Sequence, residues 1–262
     1  MSKSSDQEIT VIGAGIVGIC CACYLQKSGF QVTLVDREEP AMQTSFGNAG
    51  GISPGSVTPL GMPGIWKQIP RWLLDDNAPL VIKGRYLPKA LPWLARFALQ
   101  SRPSRVRQIS KALEALNSPT FDAYQPLLED AALTQLFHQS GQLFLYRNRQ
   151  DMDKDTLTHE LRLDGGASIE FLNAEEIREI EPAISPIFEA GYLMPDNGHC
   201  KDPYGLASGL VKMFVNKGGF LVKADVLDFI FDADGVSGLS TSTATLNTRR
   251  VVIAAGVWSK TL

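Results

Sequence analysis

The sequence predicts an α/β fold in which a domain built on a parallel sheet is interrupted by a domain of mixed helices and strands. Three observations support this prediction. A glycine-rich loop, "GAGIVG" at 13–18, follows a short apolar strand pattern and precedes a helix pattern. Residues 220–256 contain several successive strand patterns, the last of which is apolar. Between the glycine-rich loop and these residues, the composition changes sharply. Because 262 residues exceed the usual domain length of roughly 100–200, we expect two domains.

The N-terminal region predicts a βαβ unit. We expect a buried strand over 9–12, a helix over 16–27 and a second strand over 31–35 that ends at Asp36. Residues 44–64 are rich in Gly, Ser and Pro, which predicts a long ordered loop.

The central region predicts helices near 65–74, 88–100 and 104–130, a strand over 141–147, a helix over 151–163 and a strand over 168–172. Asn173 with Glu176 three residues later indicates a helix N-terminus, and Pro182 ends that helix. Asp202 followed by Pro203 indicates another helix, which ends at Gly218 or Gly219.

The C-terminal region predicts an antiparallel meander with turns at "DADG" and "LNTRR". The meander is expected to end in a buried strand over 251–254.

Composition and charge exclude several classes of protein. A net charge of −3 predicts no general attraction to nucleic acid. The polar N-terminus does not have the pattern of a signal peptide, and no stretch reaches the ~20 apolar residues that span a bilayer. Cys20 and Cys23 form a nominal C-x-x-C, but without a second pair we interpret them as packing residues rather than metal ligands or a redox pair. This cysteine usage predicts a cytoplasmic protein.

The glycine-rich loop predicts a dinucleotide site, because each glycine has its own task. Gly13 makes the turn out of the strand, Gly15 lets backbone approach a pyrophosphate, and Gly18 lets the helix pack closely on the strand. The pyrophosphate is expected at the helix N-terminus. Asp36 is spaced to bind a ribose hydroxyl, although alone it would be interpreted as a solvated acid. Coincidental glycine packing is the alternative, and NAD and FAD both fit these residues.

Two distant segments favour FAD. "TSFGNAGG" places small and polar residues shortly after Asp36, and "RRVVIAAGVWS" is a strand that ends in small residues. Both allow backbone to lie against a flat ligand. They resemble the second and third flavin signatures of the FAD-dependent amine oxidoreductases. With "GQLFLY", "EIEPAI" and "PDNGHCKDP", the order is similar to the small-subunit family of bacterial D-amino-acid dehydrogenases.

This resemblance implies an FAD-binding domain over 1–58 and 201–262 and a substrate domain over 59–200. It places the ADP half of FAD along the first strand and helix, the adenosine ribose at the end of the second strand, and the pyrophosphate and isoalloxazine at the loop that follows. For Val226, implied as a backbone partner of adenine, simple strand packing is an open alternative. The implied cofactor residues are Ile12, Gly13, Gly15, Ile16, Val17, Gly18, Asp36, Arg37, Ser45, Asn48, Ala49, Gly50, Gly51, Ile52, Val226, Ala254, Ala255 and Gly256.

The implied reaction is oxidative deamination of D-amino acids to 2-oxo acids and ammonia. Hydride passes from the substrate Cα to flavin N5, and the electrons continue to a quinone or another carrier. This chemistry needs no general base, so the catalytic residues stay unassigned. The alternatives are an amine oxidase or dehydrogenase of the sarcosine, glycine or hydroxyproline type, and an FAD-binding fragment without turnover. The resemblance also implies that the substrate carboxylate clamp lies beyond Leu262, in a part that this chain lacks.

Some further side chains are weaker candidates. Arg85, Tyr86 and His199 could belong to a substrate pocket, although ordinary surface or turn positions are the favoured interpretation of each. His138 and His159 are not spaced with acids or cysteines as metal ligands, so we interpret both as structural and predict no metal site.

Residues 66–111 form a basic stretch that contains ten Lys and Arg, two acidic residues, and Trp66, Trp72 and Trp93. A solvated face is one interpretation. A peripheral surface that meets anionic lipid is the other, since tryptophans favour the membrane interface and cations attract headgroups. The second would bring the protein to a membrane quinone.

Overall fold

The computed structural model describes residues 7–67 and 84–262. Its helices are α1 (Ile16–Lys27), α2 (Leu87–Gln100), α3 (Pro103–Asn117), α4 (Thr120–Ala131), α5 (Arg149–Lys154), α6 (Thr156–Asp164), α7 (Ala174–Ile180) and α8 (Pro203–Asn216). Its strands are β1 (Glu8–Ile12), β2 (Gln31–Asp36), β3 (Gly51–Ile52), β4 (Phe137–His138), β5 (Gln142–Tyr146), β6 (Glu170–Asn173), β7 (Ala190–Met194), β8 (Gly198–Cys200), β9 (Phe220–Lys223), β10 (Val226–Asp232), β11 (Gly235–Thr241), β12 (Thr245–Asn247) and β13 (Val251–Ile253).

The chain forms two compact units. The first contains residues 1–51, 122–138 and 199–262, and the second contains 52–121 and 139–198. The sequence-based division into 1–58 with 201–262 and 59–200 stays a prediction about function. The units differ from it mainly in 122–138, most of which forms α4 and β4 of the first unit.

The first unit is built on a four-stranded parallel sheet in the order β13–β1–β2–β9. Val11 and Leu34 are fully buried in its central strands, as expected for a parallel sheet covered on both faces. Helix α1 contacts α8, where the Gln26 side-chain amide donates to the Phe214 carbonyl at 3.0 Å. The predicted βαβ unit is therefore present, with α1 over the predicted residues.

The antiparallel meander of β10, β11 and β12 completes the first unit. Leu239 of the meander is fully buried and packs in one cluster with Ile12 and Val35 of the parallel sheet. The predicted meander is confirmed for β10 to β12, with its first turn at 232–235. The hairpin turn expected at "LNTRR" was wrong, because the strand after it, Val251–Ile253, pairs with β1 and not with β12. The core of the meander thus continues the core of the parallel sheet.

The second unit contains a three-stranded antiparallel sheet in the order β5–β7–β6. The buried Tyr192 of the central strand pairs in register with Phe144 on one side and Phe171 on the other. The rings of Phe144 and Tyr192 stack at 4.8 Å, and His159 of α6 meets the Tyr192 ring edge-on at 5.1 Å. An aromatic row thus joins the sheet to α6.

The capping signals in the sequence are confirmed. Asn173 accepts hydrogen bonds from the backbone N–H groups of Glu175 and Glu176, and the Glu176 carboxylate accepts from the Asn173 N–H. Asp202 accepts from the Gly205 N–H at 2.7 Å and begins α8, with Pro203 in its first turn. These caps satisfy N–H groups that a helix N-terminus leaves without intrahelical acceptors.

Three helix predictions were wrong or lie partly outside the described residues. The helix expected over 104–130 is two helices, α3 and α4, because Pro119 lacks the N–H that would continue the ladder. The helix expected over 151–163 is likewise two, α5 and α6, separated at Asp155. Of the helix expected near 65–74, only the 3₁₀ turn Ile65–Lys67 lies within the described residues, and Trp72 lies outside them.

The strand expected to be buried at 251–254 is an edge strand. It spans Val251–Ile253 and pairs with β1 on one side, and among the described residues no strand pairs with its other side. Ile253 is consequently 47% exposed. The apolar sequence correctly indicated a strand, but its parallel pairing with β1 and its place at the edge of the sheet were not predicted.

No helix within residues 7–67 and 84–262 combines the length and the apolar character needed to cross a membrane.

Candidate functional site

A cavity of about 610 Å³ opens in the first unit, beyond the carboxyl ends of the parallel strands. Its lining includes the residues that directly follow β1, β2, β9 and β13, so all four strands contribute to it. The lining residues are Ile12, Gly13, Gly15, Ile16, Val17, Val35, Asp36, Arg37, Gln43, Thr44, Ser45, Asn48, Ala224, Asp225, Val226, Leu227, Ala254, Ala255, Gly256, Trp258, Thr261 and Leu262. Ligands of open α/β sheets bind at this position, beyond the strand ends.

The glycine-rich loop has three differently constrained glycines. Gly13 has φ +105°, and a Cβ there would lie 2.5 Å from the Ala254 carbonyl oxygen. A Cβ on Gly18 would lie 1.8 Å from the Gly13 carbonyl oxygen, so Gly18 is required for the approach of α1 to the loop. A Cβ on Gly15 would meet only the Ser45 hydroxyl, at 3.3 Å. The fold therefore explains Gly13 and Gly18, whereas Gly15 lines the cavity and has no such backbone constraint.

The N-terminus of α1 faces the loop that follows β2. Gly15 is its N-cap and has no side chain, and the Ile16 N–H donates instead to the Ser45 hydroxyl at 2.9 Å. Asn48 holds the loop in shape, since its side chain accepts from the Gly50 N–H at 2.8 Å and donates to the Ser45 carbonyl at 2.9 Å. Helix N-terminal N–H groups and a hydroxyl thus line one end of the cavity.

Asp36 is fixed at the carboxyl end of β2. One carboxylate oxygen accepts from the Ala14 N–H at 2.6 Å, and the other accepts from the Glu38 N–H at 3.0 Å. A carboxylate offers about four acceptor positions, so two remain available to a ligand hydroxyl. The acid is thus oriented by backbone and still able to bind a ribose.

The segment after β13 forms the side of the cavity opposite β2. The Ala254 N–H donates to the Ile12 carbonyl at 2.8 Å, which extends the pairing of β1 and β13 by one residue. Gly256 follows with φ +56°, and its position begins the 3₁₀ segment Gly256–Thr261. Small residues here keep the strand end close to the glycine-rich loop, since a Cβ on Gly13 would lie 2.5 Å from the Ala254 carbonyl oxygen.

The residues present fit the ADP half of FAD. The cavity volume lies within the ~300–1,000 Å³ typical of ligand sites. Gly15 leaves open the space that a pyrophosphate needs, the first turn of α1 has N–H groups without intrahelical acceptors beside the Ser45 hydroxyl, and Asp36 supplies an oriented acceptor. These are the three features that dinucleotide sites on such sheets share.

Five of the residues implied by the resemblance do not line this cavity. Gly18 lies behind the loop. The others, Ala49, Gly50, Gly51 and Ile52, continue past the lining residue Asn48. Gly50 has φ +68°, and a Cβ there would lie 2.2 Å from the Cys200 carbonyl oxygen, so the fold alone requires this glycine. The role of 49–52 near the isoalloxazine stays a prediction.

The sequence reasoning missed nine lining residues: Val35, Gln43, Thr44, Ala224, Asp225, Leu227, Trp258, Thr261 and Leu262. Four of them, Val35, Thr44, Asp225 and Leu227, are direct neighbours of predicted residues. Trp258 comes two residues after Gly256, and the Arg37 guanidinium carbon lies 4.7 Å from its ring centre. The available signal was that Trp258 is the one aromatic residue in the segment "RRVVIAAGVWS", although it belongs to no periodic pattern there.

The weaker candidates are not among the residues that line the cavity. Arg85 and Tyr86 belong to the second unit, and both are exposed. His199 pairs with His138 between β8 and β4, and their rings stack at 5.8 Å. His159 is buried in the second unit, and burial lowers its pKa. These positions are consistent with the structural interpretation of His138 and His159.

The cysteines of α1 pack as small apolar residues. Cys23 is buried, and its thiol lies 3.9 Å from the Leu210 carbonyl of α8. Burial raises the pKa of Cys20 to about 12 and that of Cys23 to about 11, so both thiols are protonated at neutral pH. A thiolate is the reactive form of cysteine, and these surroundings disfavour it.

Comparison with known proteins gives the family. Residues 8–262 match the DAO family, described as FAD dependent oxidoreductase. The chain is 34% identical over 259 residues to a D-amino-acid oxidase from Bradyrhizobium diazoefficiens, an alignment that covers 98% of this chain and 61% of that protein. The chain thus spans about three fifths of the length of this curated relative.

Solved structures share the fold. Glycine oxidase from Bacillus cereus has a TM-score of 0.65 at 19% identity, over 98% of this chain and 57% of that chain. L-amino acid deaminase from Proteus vulgaris has a TM-score of 0.67 at 14% identity, over 97% of this chain and 48% of that chain. The predicted α/β fold and the resemblance to FAD-dependent amine oxidoreductases are therefore confirmed. The chain belongs to the DAO family of FAD dependent oxidoreductases.

Proposed function

We propose that this protein oxidises D-amino acids to 2-oxo acids and ammonia with FAD as its cofactor. The observation that carries the proposal is the cavity at the carboxyl ends of the parallel strands, where Gly15, the N-terminus of α1 and Asp36 together provide space, N–H donors and an acceptor. The D-amino-acid oxidase relative supports the substrate class. Because the chain spans 61% of that relative, the activity of the whole protein is part of the proposal.

The residues proposed to hold FAD are those of the cavity and the adjoining loop. The N-terminus of α1, from Gly15 to Val17, binds the pyrophosphate, and Asp36 binds the adenosine ribose. Ser45 and Asn48 border the pyrophosphate, and 49–52 continue toward the isoalloxazine. Bound FAD supplies the hydride acceptor for oxidation of the substrate C–H bond. The protein contributes binding and orientation, and no residue of this chain is assigned as a general base.

The first experiment tests the cofactor and the substrate together. The purified chain is reconstituted with FAD, its flavin absorbance is recorded, and the band is followed anaerobically with D-amino acids, L-amino acids, glycine, sarcosine and hydroxyproline. Bleaching by D-amino acids alone supports the proposal. Bleaching by glycine, sarcosine or hydroxyproline instead would move the assignment to those amines. Stable flavin binding without bleaching would indicate an FAD-binding fragment without turnover.

The electron acceptor is tested separately. A quinone or another carrier is proposed, so turnover should proceed with a quinone analogue or an artificial dye and should produce little hydrogen peroxide in air. Peroxide formed at the same rate as the 2-oxo acid would make the protein an oxidase. Apoprotein without FAD is the control, since it should support neither reaction.

A second proposal concerns a membrane-facing surface on α2. No residue of this helix is buried, and Trp93 and Leu91 are 59% and 54% exposed. Trp93 stacks on Phe97 at 5.2 Å, which presents a rigid aromatic pair. From 84 to 113 the sequence contains seven Lys and Arg and no acid. Arg107 is paired with Glu160 and Asp164, so it is not counted as a lipid-binding cation. Exposed aromatic and aliphatic side chains beside the other cations are typical of a surface that binds anionic lipid.

Vesicle sedimentation tests this surface. The protein should sediment with vesicles that contain anionic phospholipid, less with zwitterionic vesicles, and less in moderate salt. Trp93→Ser and Leu91→Ser should each weaken sedimentation, whereas Leu116→Ser, an exposed leucine of α3, should not. If all variants sediment equally with vesicles, or if the wild type does not sediment with them in low salt, the surface is an ordinary solvated face.

A further inference from the structure

Arg37 and Trp258 form a pair across the nucleotide cavity. Arg37 directly follows Asp36 at the end of β2, whereas Trp258 lies in the 3₁₀ segment that follows β13. The Arg37 guanidinium carbon lies 4.7 Å from the centre of the Trp258 ring, and both side chains line the cavity. Strands β2 and β13 flank β1 on opposite sides. The pair therefore joins the two borders of the cavity, and the glycine-rich loop lies between them in the sheet order.

The Trp258 ring is the contact that the structure gives the Arg37 guanidinium. Within residues 7–67 and 84–262, Arg37 makes no salt bridge, although Glu38 and Glu39 follow it. Glu39 pairs with Lys223 at 2.8 Å. A guanidinium over an indole face is attracted by the ring quadrupole, and indole is the best such partner. The geometry thus favours stacking on Trp258.

The backbone of the Trp258 segment is held mainly by local hydrogen bonds. The Trp258 N–H donates to the Ala255 carbonyl at 3.1 Å, and the Thr261 hydroxyl donates to the Trp258 carbonyl at 2.8 Å. Both bonds connect residues of the same short segment. Leu262, which follows this segment, packs against the core cluster that contains Val35 and Val226. The contact with Arg37 adds a tie from the middle of the segment to the β2 side.

We propose that the Arg37–Trp258 pair is a latch that slows the release of FAD from this cavity. The inference rests on the proposed binding of FAD and adds that Trp258, which the sequence reasoning did not select, retains the cofactor through Arg37. The pair has to separate before the border of the cavity can widen. An exposed cation–π contact contributes roughly a two- to fivefold factor to such an equilibrium.

The experiment measures FAD release from the reconstituted chain. Bound flavin is followed by gel filtration at intervals after dilution, for the wild type and for Trp258→Ala, Trp258→Phe and Arg37→Gln. Trp258→Ala and Arg37→Gln should each speed release by about two- to fivefold. Trp258→Phe should stay closer to the wild type because it keeps a ring. The double variant should release FAD no faster than the single variants, since each already removes the contact.

Controls separate the latch from general loosening and from loss of binding. Arg250 lies over Phe30 at 5.9 Å in the same unit, and neither residue lines the cavity. Phe30→Leu should therefore leave the release rate unchanged. Independent, additive effects of the two single variants, or unchanged rates in both, would overturn the latch. If Trp258→Ala does not fold, Trp258→Leu takes its place in the same double-variant comparison with Arg37→Gln. Failure of the wild type to bind FAD would instead overturn the proposed function.

Discussion

The Asp36 carboxylate accepts a hydrogen bond from the backbone N–H of Ala14, with 2.6 Å between Oδ2 and the nitrogen. This bond connects the end of β2 to the glycine-rich loop that follows β1. The acid proposed to bind the ribose is therefore also the acid that positions the loop proposed to bind the pyrophosphate. The two parts of the candidate site are not independent, and a change in one is expected to affect the other.

The first prediction follows from this bond. Asp36→Ala removes the acceptor for Ala14 and the proposed ribose contact, so FAD affinity should fall by about tenfold or more, as for loss of a hydrogen bond to a charged group. Asp36→Asn keeps one acceptor and should lose less. The measurement is a flavin fluorescence titration. Asp234→Asn, in the exposed hairpin turn, is the control, and an Asp36→Ala variant with wild-type affinity would contradict the prediction.

The second prediction separates the glycines. Gly15→Ala should leave the melting temperature nearly unchanged, because its Cβ would meet only the Ser45 hydroxyl, but it should weaken FAD binding by about 1–3 kcal/mol through overpacking against the ligand. Gly13→Ala should destabilise the fold by about 2 kcal/mol or more, since it combines φ +105° with a clash against Ala254. Apoprotein melting and FAD titration are compared. A stable Gly15→Ala variant that binds FAD normally would exclude close ligand approach at this residue.

The third prediction concerns pH. Burial lowers the pKa of His159, Arg162 lowers it further, and Asp155 and Asp153 oppose this shift. Below its ordinary pKa of about 6.5 the unfolded chain binds the proton more readily than the folded chain. The contribution of His159 to stability is therefore fully present above pH ~6.5 and is lost as the pH falls toward the lowered value.

Denaturant unfolding between pH 5 and 8 checks this expectation. The His159→Phe variant keeps a ring against Tyr192 but cannot titrate, so it should lose part of the acid dependence of the second unit. His138→Gln, in the first unit, should retain that dependence. An unchanged pH profile in His159→Phe would show that His159 does not contribute to it.

The fourth prediction concerns the N-terminus of α7. Asn173→Ala removes the acceptor for two backbone N–H groups and should lower the free energy of unfolding of the second unit by about 1 kcal/mol. Asn173→Ser should largely preserve it, because serine is an equally good N-cap. Denaturant unfolding gives the change. FAD affinity should be the same in both variants, and a parallel loss of FAD binding would contradict the assignment of the cavity to the first unit.

Local signals in the sequence determined much of this protein. The βαβ unit, the capping box at Asn173 and the cap at Asp202 depend on residues a few positions apart, so short patterns were sufficient to predict them. The acid Asp36 could be connected to the glycines because a dinucleotide site has a characteristic spacing. Thirteen of the residues implied by the resemblance line the cavity.

Only the tertiary structure decided the relationships between distant segments. Pairing of β13 with β1 places Ala254 beneath Gly13, and no local pattern records that contact. The exposure of Ile253 follows from an edge position, which depends on strand order rather than on the strand itself. The stacking of Arg37 on Trp258 joins residues more than two hundred positions apart. Sequence determines what each segment can form, whereas long-range packing determines which segments meet.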